Sequence, residues 1–198
     1  MNVSILAISG SLRRRSSNTE VLRAAAKLAP VTVTVKLFNA LAALPPFNPD
    51  LDAEGAVPPA VVGDFREQIG AADALLICSP EYAHGVAGSL KNALDWLVSS
   101  PAMVFKPIGL LNVSPRSSYG YAALAETLRT MSTVLVEGAS VELPIAGTSL
   151  DAEAIAAVPD YATKLRAAID SLVVAAADYK RAATHVSHRD EPLALSEK

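Results

Sequence analysis

The sequence predicts a three-layer α/β sandwich, a five-stranded parallel sheet with helices on both faces, and three observations carry that prediction. Segments of strand character alternate along the chain with segments of helical spacing, the order that builds parallel sheets through right-handed crossovers. The run Ala74-Leu75-Leu76-Ile77-Cys78 is apolar throughout, as expected for a strand buried on both faces. Three polar loops, Ser9 to Asn18, Ser79 to Gly85 and Ser114 to Gly120, each follow a strand, and ligands of open α/β sheets bind outside the carboxyl ends of strands.

Val3 to Ile8 is a short apolar strand, and the loop after it leads into a helix with apolar positions at Val21, Leu22, Ala25, Ala26, Leu28 and Ala29 that stops at Pro30. Val31 to Phe38 alternates strictly and is rich in β-branched residues, so it reads as an edge strand with one wetter face. Asn39 to Pro59 holds Pro45, Pro46, Pro49, Pro58 and Pro59. Those prolines block regular structure and predict an ordered surface excursion near the site or a partner. Val61 to Gly70 is helical, Ala74 to Cys78 is the third strand, and from Val86 the apolar residues at 86, 90, 93, 94, 97 and 98 mark a helix. Its wheel places Asn92, Asp95 and Trp96 away from the core stripe. Pro107 to Val113 is a fourth strand, Tyr121 to Val134 a helix, Val141 to Leu143 a short fifth strand, and Asp160 to Ala183 a long final helix. The expected domain is residues 1–183, with 184–198 a polar, mobile tail broken by Pro192.

Composition removes several function classes. With 51% hydrophobic and 19% charged residues the chain is globular, and a net charge of −3 leaves no basic footprint for nucleic acid. The one dense basic run, Arg13-Arg14-Arg15, suits a small anion. No apolar run reaches the ~20 residues that span a bilayer. The arginines follow the first apolar segment instead of preceding it, which is not the order of a signal peptide. The single cysteine, Cys78, excludes an internal disulfide and points to a reducing compartment, hence a cytoplasmic protein. Closing a buried strand, Cys78 reads as structural and not as a redox group.

The first loop offers hydroxyls at Ser11, Ser16 and Ser17, the Asn18 amide, the Arg13 guanidinium and the N–H groups of a helix start, a donor set for phosphate. A capped loop with solvated arginines would look the same if it stood alone. No G-x-x-x-x-G-K occurs, and no two glycines lie two apart, so neither a triphosphate loop nor a dinucleotide fingerprint is present. A terminal phosphomonoester remains. In the second loop Pro80 sets the turn, Gly85 permits close approach, and the helix that follows presents its positive end. Neither Ser11 nor Ser114 sits in G-x-S-x-G, which disfavours a hydrolase.

The stretch Pro80-Glu81-Tyr82, Gly85, Gly88, Leu90-Lys91-Asn92-Ala93, Asp95-Trp96 closely resembles the signature of the flavodoxin-like NAD(P)H-dependent FMN reductases, a family that includes quinone, chromate and azo-dye reductases. Gly10, Ser11, Arg13, Ser16 and Asn18 resemble that family's phosphate loop. The resemblance covers roughly residues 3 to 145 and implies the strand order 2-1-3-4-5, with a crevice at the β1/β3 switch point. It implies FMN as cofactor and NADPH or NADH as donor. Hydride would pass in a ping-pong cycle to an acceptor such as a quinone, free flavin, azo dye or metal oxyanion. Ser11, Arg13, Ser16, Ser17 and Asn18 would hold the phosphate, and Pro80, Glu81, Tyr82, Ala83, His84 and Gly85 would meet the pyrimidine edge of the flavin. Ser114, Arg116 and Ser117 would lie beside the ring. No catalytic side chain and no metal are implied, because the flavin carries the chemistry. The family resemblance also suggests a homodimer or dimer of dimers, with the Trp96 face meeting a second subunit.

Two departures stand out. Arg15 occupies a place where relatives often have a small residue, and Ala83-His84 follows Tyr82 where the family often has Asn. His84 reads either as a solvated loop residue or as a proton donor to a quinone, and Tyr82 as packing against the flavin or a neighbouring loop. The rival reading is a flavin-binding electron carrier or redox-sensing interaction protein without nicotinamide turnover.

Overall fold

Strands buried on both faces send alternate side chains to opposite sides of the sheet, and so build two cores. In the computed structural model, which describes residues 2–187 and only the backbone beyond residue 182, strand β1 (Val3–Ser9) lies between β2 (Val33–Leu37) and β3 (Ala74–Cys78). All pairings in this sheet are parallel, and β3 continues to a further strand, Pro107–Asn112. Ile5, Ala7, Leu76 and Cys78 face one core with Val21, Leu22, Leu165 and Leu172. Leu6, Ile8, Leu75 and Ile77 face the other with Phe65, Leu90, Leu94 and Leu128. The first core is covered by α1 (Ser17–Leu28), α5 (Ala152–Ala157) and α6 (Pro159–Ser187). The second lies under α2 (Ala60–Ala71), α3 (Gly88–Asp95) and α4 (Ser118–Thr130).

Between β3 and α3 the loop holds a small antiparallel hairpin, β4 (Glu81–Tyr82) and β5 (Gly85–Val86), where the sequence shows only a turn. Pro107–Asn112 is therefore β6, and the expected fifth strand is two fragments. β7 (Val134–Leu135) and β8 (Val141–Glu142) both pair with β6, on either side of a 3-10 turn at Glu137–Ala139. The order is thus 2-1-3-4-5 with its last strand split. Val134, expected to end a helix, starts β7 instead. The short α5 has no counterpart in the sequence reading, and α6 runs past Ala183 to Ser187, so residues 184–187 are helical. The remainder of the expected tail, 188–198, lies outside the described residues.

Trp96 corrects the sequence reading. It is fully buried and does not face a second subunit. The reason is the proline-rich excursion, which folds over the face that a helical wheel assigns to solvent. Pro45 O accepts from Trp96 Nε1 at 2.8 Å and from Asn92 Nδ2 at 2.9 Å, and Phe47 N donates to Asn92 Oδ1 at 2.7 Å. The Phe47 ring meets the indole edge-on at 5.0 Å. Arg66 Nε donates to Trp96 O at 2.9 Å, and its guanidinium pairs with Asp52 at 2.7 Å. None of residues 39–59 lines the main cleft described below. Lys91 and Asp95 do pair, at 2.5 Å.

Truncating a buried tryptophan leaves a large cavity, so Trp96→Ala should cost about 3–5 kcal/mol in urea unfolding and open the 39–59 segment to limited proteolysis. The milder Trp96→Phe should leave the mass measured by light scattering unchanged; a change of mass would return Trp96 to a subunit contact.

Candidate functional site

Parallel pairing puts the ends of β1, β3 and β6 at one level, and the loops that follow them converge. Gly10 N donates to Cys78 O at 2.9 Å, which carries the β1–β3 register into the loops. A Cβ on Gly10 would lie 2.4 Å from Ser79 Oγ, so only glycine lets the first two loops touch. Ser89 Oγ, at the start of α3, donates to Gly10 O at 3.1 Å. Glu81 ties the second loop to the third by accepting Gly120 N at 2.7 Å, and a Cβ on Gly120 would meet Glu81 at 2.9 Å.

The cleft so formed has a volume of about 810 Å³, within the range of small-molecule sites. Ser11, Arg13, Ser16, Ser17 and Asn18 line it from the first loop, Pro80, Glu81 and Tyr82 from the second, and Ser114 and Ser117 from the third. Ala83, His84 and Gly85 form the hairpin tip, outside the lining, and Arg116 is outside it as well. Ala83 and His84 both have positive φ, 49° and 58°, as a two-residue type I′ turn requires. The exposed His84 ring stacks on the exposed Tyr119 ring at 4.3 Å and does not line the cleft.

Five parts of the lining were not among the site residues expected from the sequence. Arg15, Glu20, Ser79 and Val113 contribute, and so does a whole fourth loop, Ala146 to Asp151. That loop is stapled to α1: Ser17 Oγ donates to Ile145 O at 3.3 Å and Ala152 N donates to Glu20 Oε2 at 3.1 Å. The cluster Gly147-Thr148-Ser149 ahead of Asp151 was the available signal, since it has the composition of a turn before a helix cap.

Two helices begin at the cleft with their capping residues unused. Ser16 caps α1 and Ser117 caps α4, yet neither side chain makes a cap hydrogen bond. Ser16 is 6% exposed, and its Oγ is the one buried side-chain oxygen or nitrogen among the described residues without a partner. An unpaired buried hydroxyl costs about 1–3 kcal/mol, an arrangement that makes sense where a ligand completes it. Asn18 is fixed from behind, because Cys78 Sγ donates to its Oδ1 at 3.2 Å and leaves the amide hydrogens as donors. Burial pushes the Cys78 thiol far above its ordinary value of 9.0, with the Val113 N–H partly opposing.

The sheet order and a polar cleft at the β1/β3 switch, with hydroxyl, amide and guanidinium donors at a helix amino end, define a flavodoxin-like protein. The sequence matches the family described as NADPH-dependent FMN reductase over residues 3–149, and the chain belongs to that family. It is 44% identical over 115 residues to an NAD(P)H-dependent FMN reductase of Pseudomonas aeruginosa, covering 57% of this chain and 60% of the relative. With a quinone reductase of Pseudomonas putida it shares 39% over 124 residues, 61% of this chain and 64% of the relative. These matches therefore span less than two thirds of either relative's length. Among solved structures, FerB, a flavoenzyme NAD(P)H:(acceptor) oxidoreductase of Paracoccus denitrificans, superposes with a TM-score of 0.71 at 27% identity, covering 89% of this chain and 98% of that one. Among the described residues no helix is long and apolar enough to cross a membrane, and no group of three or more His, Cys, Asp or Glu could hold a metal ion.

Because the folded thiol of Cys78 stays neutral while an unfolded one ionises above pH 9.0, its stabilising contribution is complete below that pH and is lost as pH rises further. The slope is about 1.4 kcal/mol per pH unit. Wild type should lose stability above pH 9 more steeply than Cys78→Ser in unfolding titrations, and matching slopes would contradict the burial effect.

Proposed function

We propose that this protein is an FMN-dependent NAD(P)H oxidoreductase that reduces a small acceptor, a quinone in the first instance. The observation that carries the reading is the unpartnered, buried Ser16 hydroxyl at the amino end of α1, inside a cleft that also presents Ser11, Ser17, Asn18 and Arg13. One phosphomonoester satisfies that set: the Ser11 and Ser16 hydroxyls and the Asn18 amide donate, the guanidinium adds a charge-assisted contact, and the helix end supplies positive potential, while the Ser17 hydroxyl is held by Ile145 O. Bound there, FMN would supply the chemistry, accepting hydride from a reduced nicotinamide and delivering electrons onward.

The chain's own groups bind and orient. Pro80, Glu81 and Tyr82 would border the flavin ring from one side and Ser114 and Ser117 from another. Glu81 is a positioning residue, since its carboxylate is spent on Gly120 N. Tyr82, 56% exposed, is free to cover a planar ligand. Ala83, His84, Gly85 and Arg116 would act by shaping the rim. The named quinone reductase relative favours a quinone over free flavin, an azo dye or a metal oxyanion as acceptor. Assembly as a homodimer or dimer of dimers rests on the family resemblance alone, Trp96 being buried, and a cytoplasmic location rests on the single reduced cysteine.

Purified protein with FMN should oxidise NADPH or NADH with a quinone, giving parallel lines in double-reciprocal plots. No oxidation above that of free FMN would leave an electron carrier as the better reading.

Arg13→Ala should weaken FMN about ten- to a hundredfold, a charge-assisted contact being worth ~1.5–3 kcal/mol, while riboflavin binding barely changes. Ser16→Ala should weaken FMN about tenfold yet leave the unfolding free energy of the apoprotein unchanged or raised, because no protein partner is lost. Fluorescence titration and urea melts measure both. Equal losses for FMN and riboflavin would remove the phosphate assignment.

A further inference from the structure

The first loop carries more positive charge than one phosphate uses. Arg13, Arg14 and Arg15 are consecutive and exposed, and none of their guanidinium groups has an ion pair or hydrogen bond among the described residues. The nearby acids are engaged elsewhere. Glu20 accepts from Arg23 at 2.6 Å and from Ala152 N, and Asp151 across the cleft accepts Ala154 N at 2.9 Å. The three arginines alone bound a second, open cavity of about 670 Å³. Arg13 and Arg15 line this cavity and the main cleft as well, so the two spaces adjoin.

A phosphomonoester in the main cleft brings about −1.5 to −2 charges. Three guanidiniums and the positive end of α1 then still hold an excess, on adjacent residues that repel one another. We infer that Arg14 and Arg15 seat a second phosphomonoester, the 2′-phosphate that distinguishes NADPH from NADH, and so set the donor preference. This rests on the nicotinamide-dependent reading above. The group that differs between the two donors is a compact dianion, and the planar guanidinium fork matches it in charge and geometry. The pyrophosphate, common to both donors, is the poorer candidate: it is held by glycine-rich backbone at a helix start, and this chain has no G-x-G.

Calorimetry on the whole protein, with and without FMN, tests this using adenosine 2′,5′-bisphosphate against 5′-AMP. Wild type should bind the bisphosphate about tenfold more tightly, Arg14→Ala and Arg15→Ala should each remove most of that margin, and raising the salt should erode it. In steady state the NADPH-to-NADH ratio of kcat/KM should fall about tenfold in either variant, through KM and not kcat. Both side chains are exposed, so the variants should fold, which circular dichroism checks. Equal wild-type affinity for the two nucleotides, or a loss in Arg14→Ala that is the same for both, overturns the inference. If the oxidoreductase reading itself fails, neither donor is oxidised, and the nucleotide titrations still decide whether the arginines recognise a 2′-phosphate.

Discussion

The constraint on which the rest depends is the parallel β1–β3 register, carried past the strands by Gly10 N on Cys78 O. It brings two loops to the same height, and the missing side chain at Gly10 lets them touch at Ser79. From there the third loop is drawn in by Glu81 on Gly120 N. The cleft is thus a consequence of pairing geometry and two glycines, and its polar groups were delivered to it by strands buried on both faces. A parallel sheet offers this at its carboxyl edge because each crossover returns a helix amino end there, with N–H groups that have no intrahelical partner.

The hairpin at that edge is held against a conformational cost. Ala83 and His84 both lie in the left-handed region, where each non-glycine residue costs on the order of 1–3 kcal/mol. The His84–Tyr119 stack, worth about 0.5–1.5 kcal/mol, offsets part of that and also ties the tip to α4. The proline-rich excursion stabilises the same region from behind. It clasps α3 through Asn92 and Trp96, and α3 carries the hairpin at its amino end. The segment expected to be a surface excursion near the site or a partner is therefore a strap on the helix below the site.

Away from the cleft, Lys106 is almost fully buried, with Nζ donating to Ala72 O at 2.6 Å and lying 4.8 Å from the Tyr179 ring centroid. Burial lowers its pKa, with Asp73 partly opposing. Asp73 also accepts Ser4 N at 2.8 Å and pairs with Lys180 at 2.7 Å. These charges gather where β1, β3 and β6 begin, at the opposite end of the strands from the cleft. They close the amino edge of the sheet with side chains, where the carboxyl edge is left open for a ligand.

The sequence by itself determined the layers, most of their strands and helices, and the donor-rich first loop that lines the cleft, while the strand order came from the family resemblance. Those rest on local signals: apolar runs, alternation, and a donor-rich loop between a strand and a helix. Ile5, Leu76, Ser16 and Asn18 could be assigned because a strand's burial and a helix start are written within a few residues of each other. What only the tertiary structure decided involves segments distant along the chain. Trp96 is buried because Pro45 and Phe47 come to it. The fifth strand is split because two fragments share β6. The fourth cleft wall at residues 146–151 exists because Ser17 and Glu20 hold it. A helical wheel presents every polar-side position as solvent-facing, and only long-range hydrogen bonds tell which of them another part of the chain will cover.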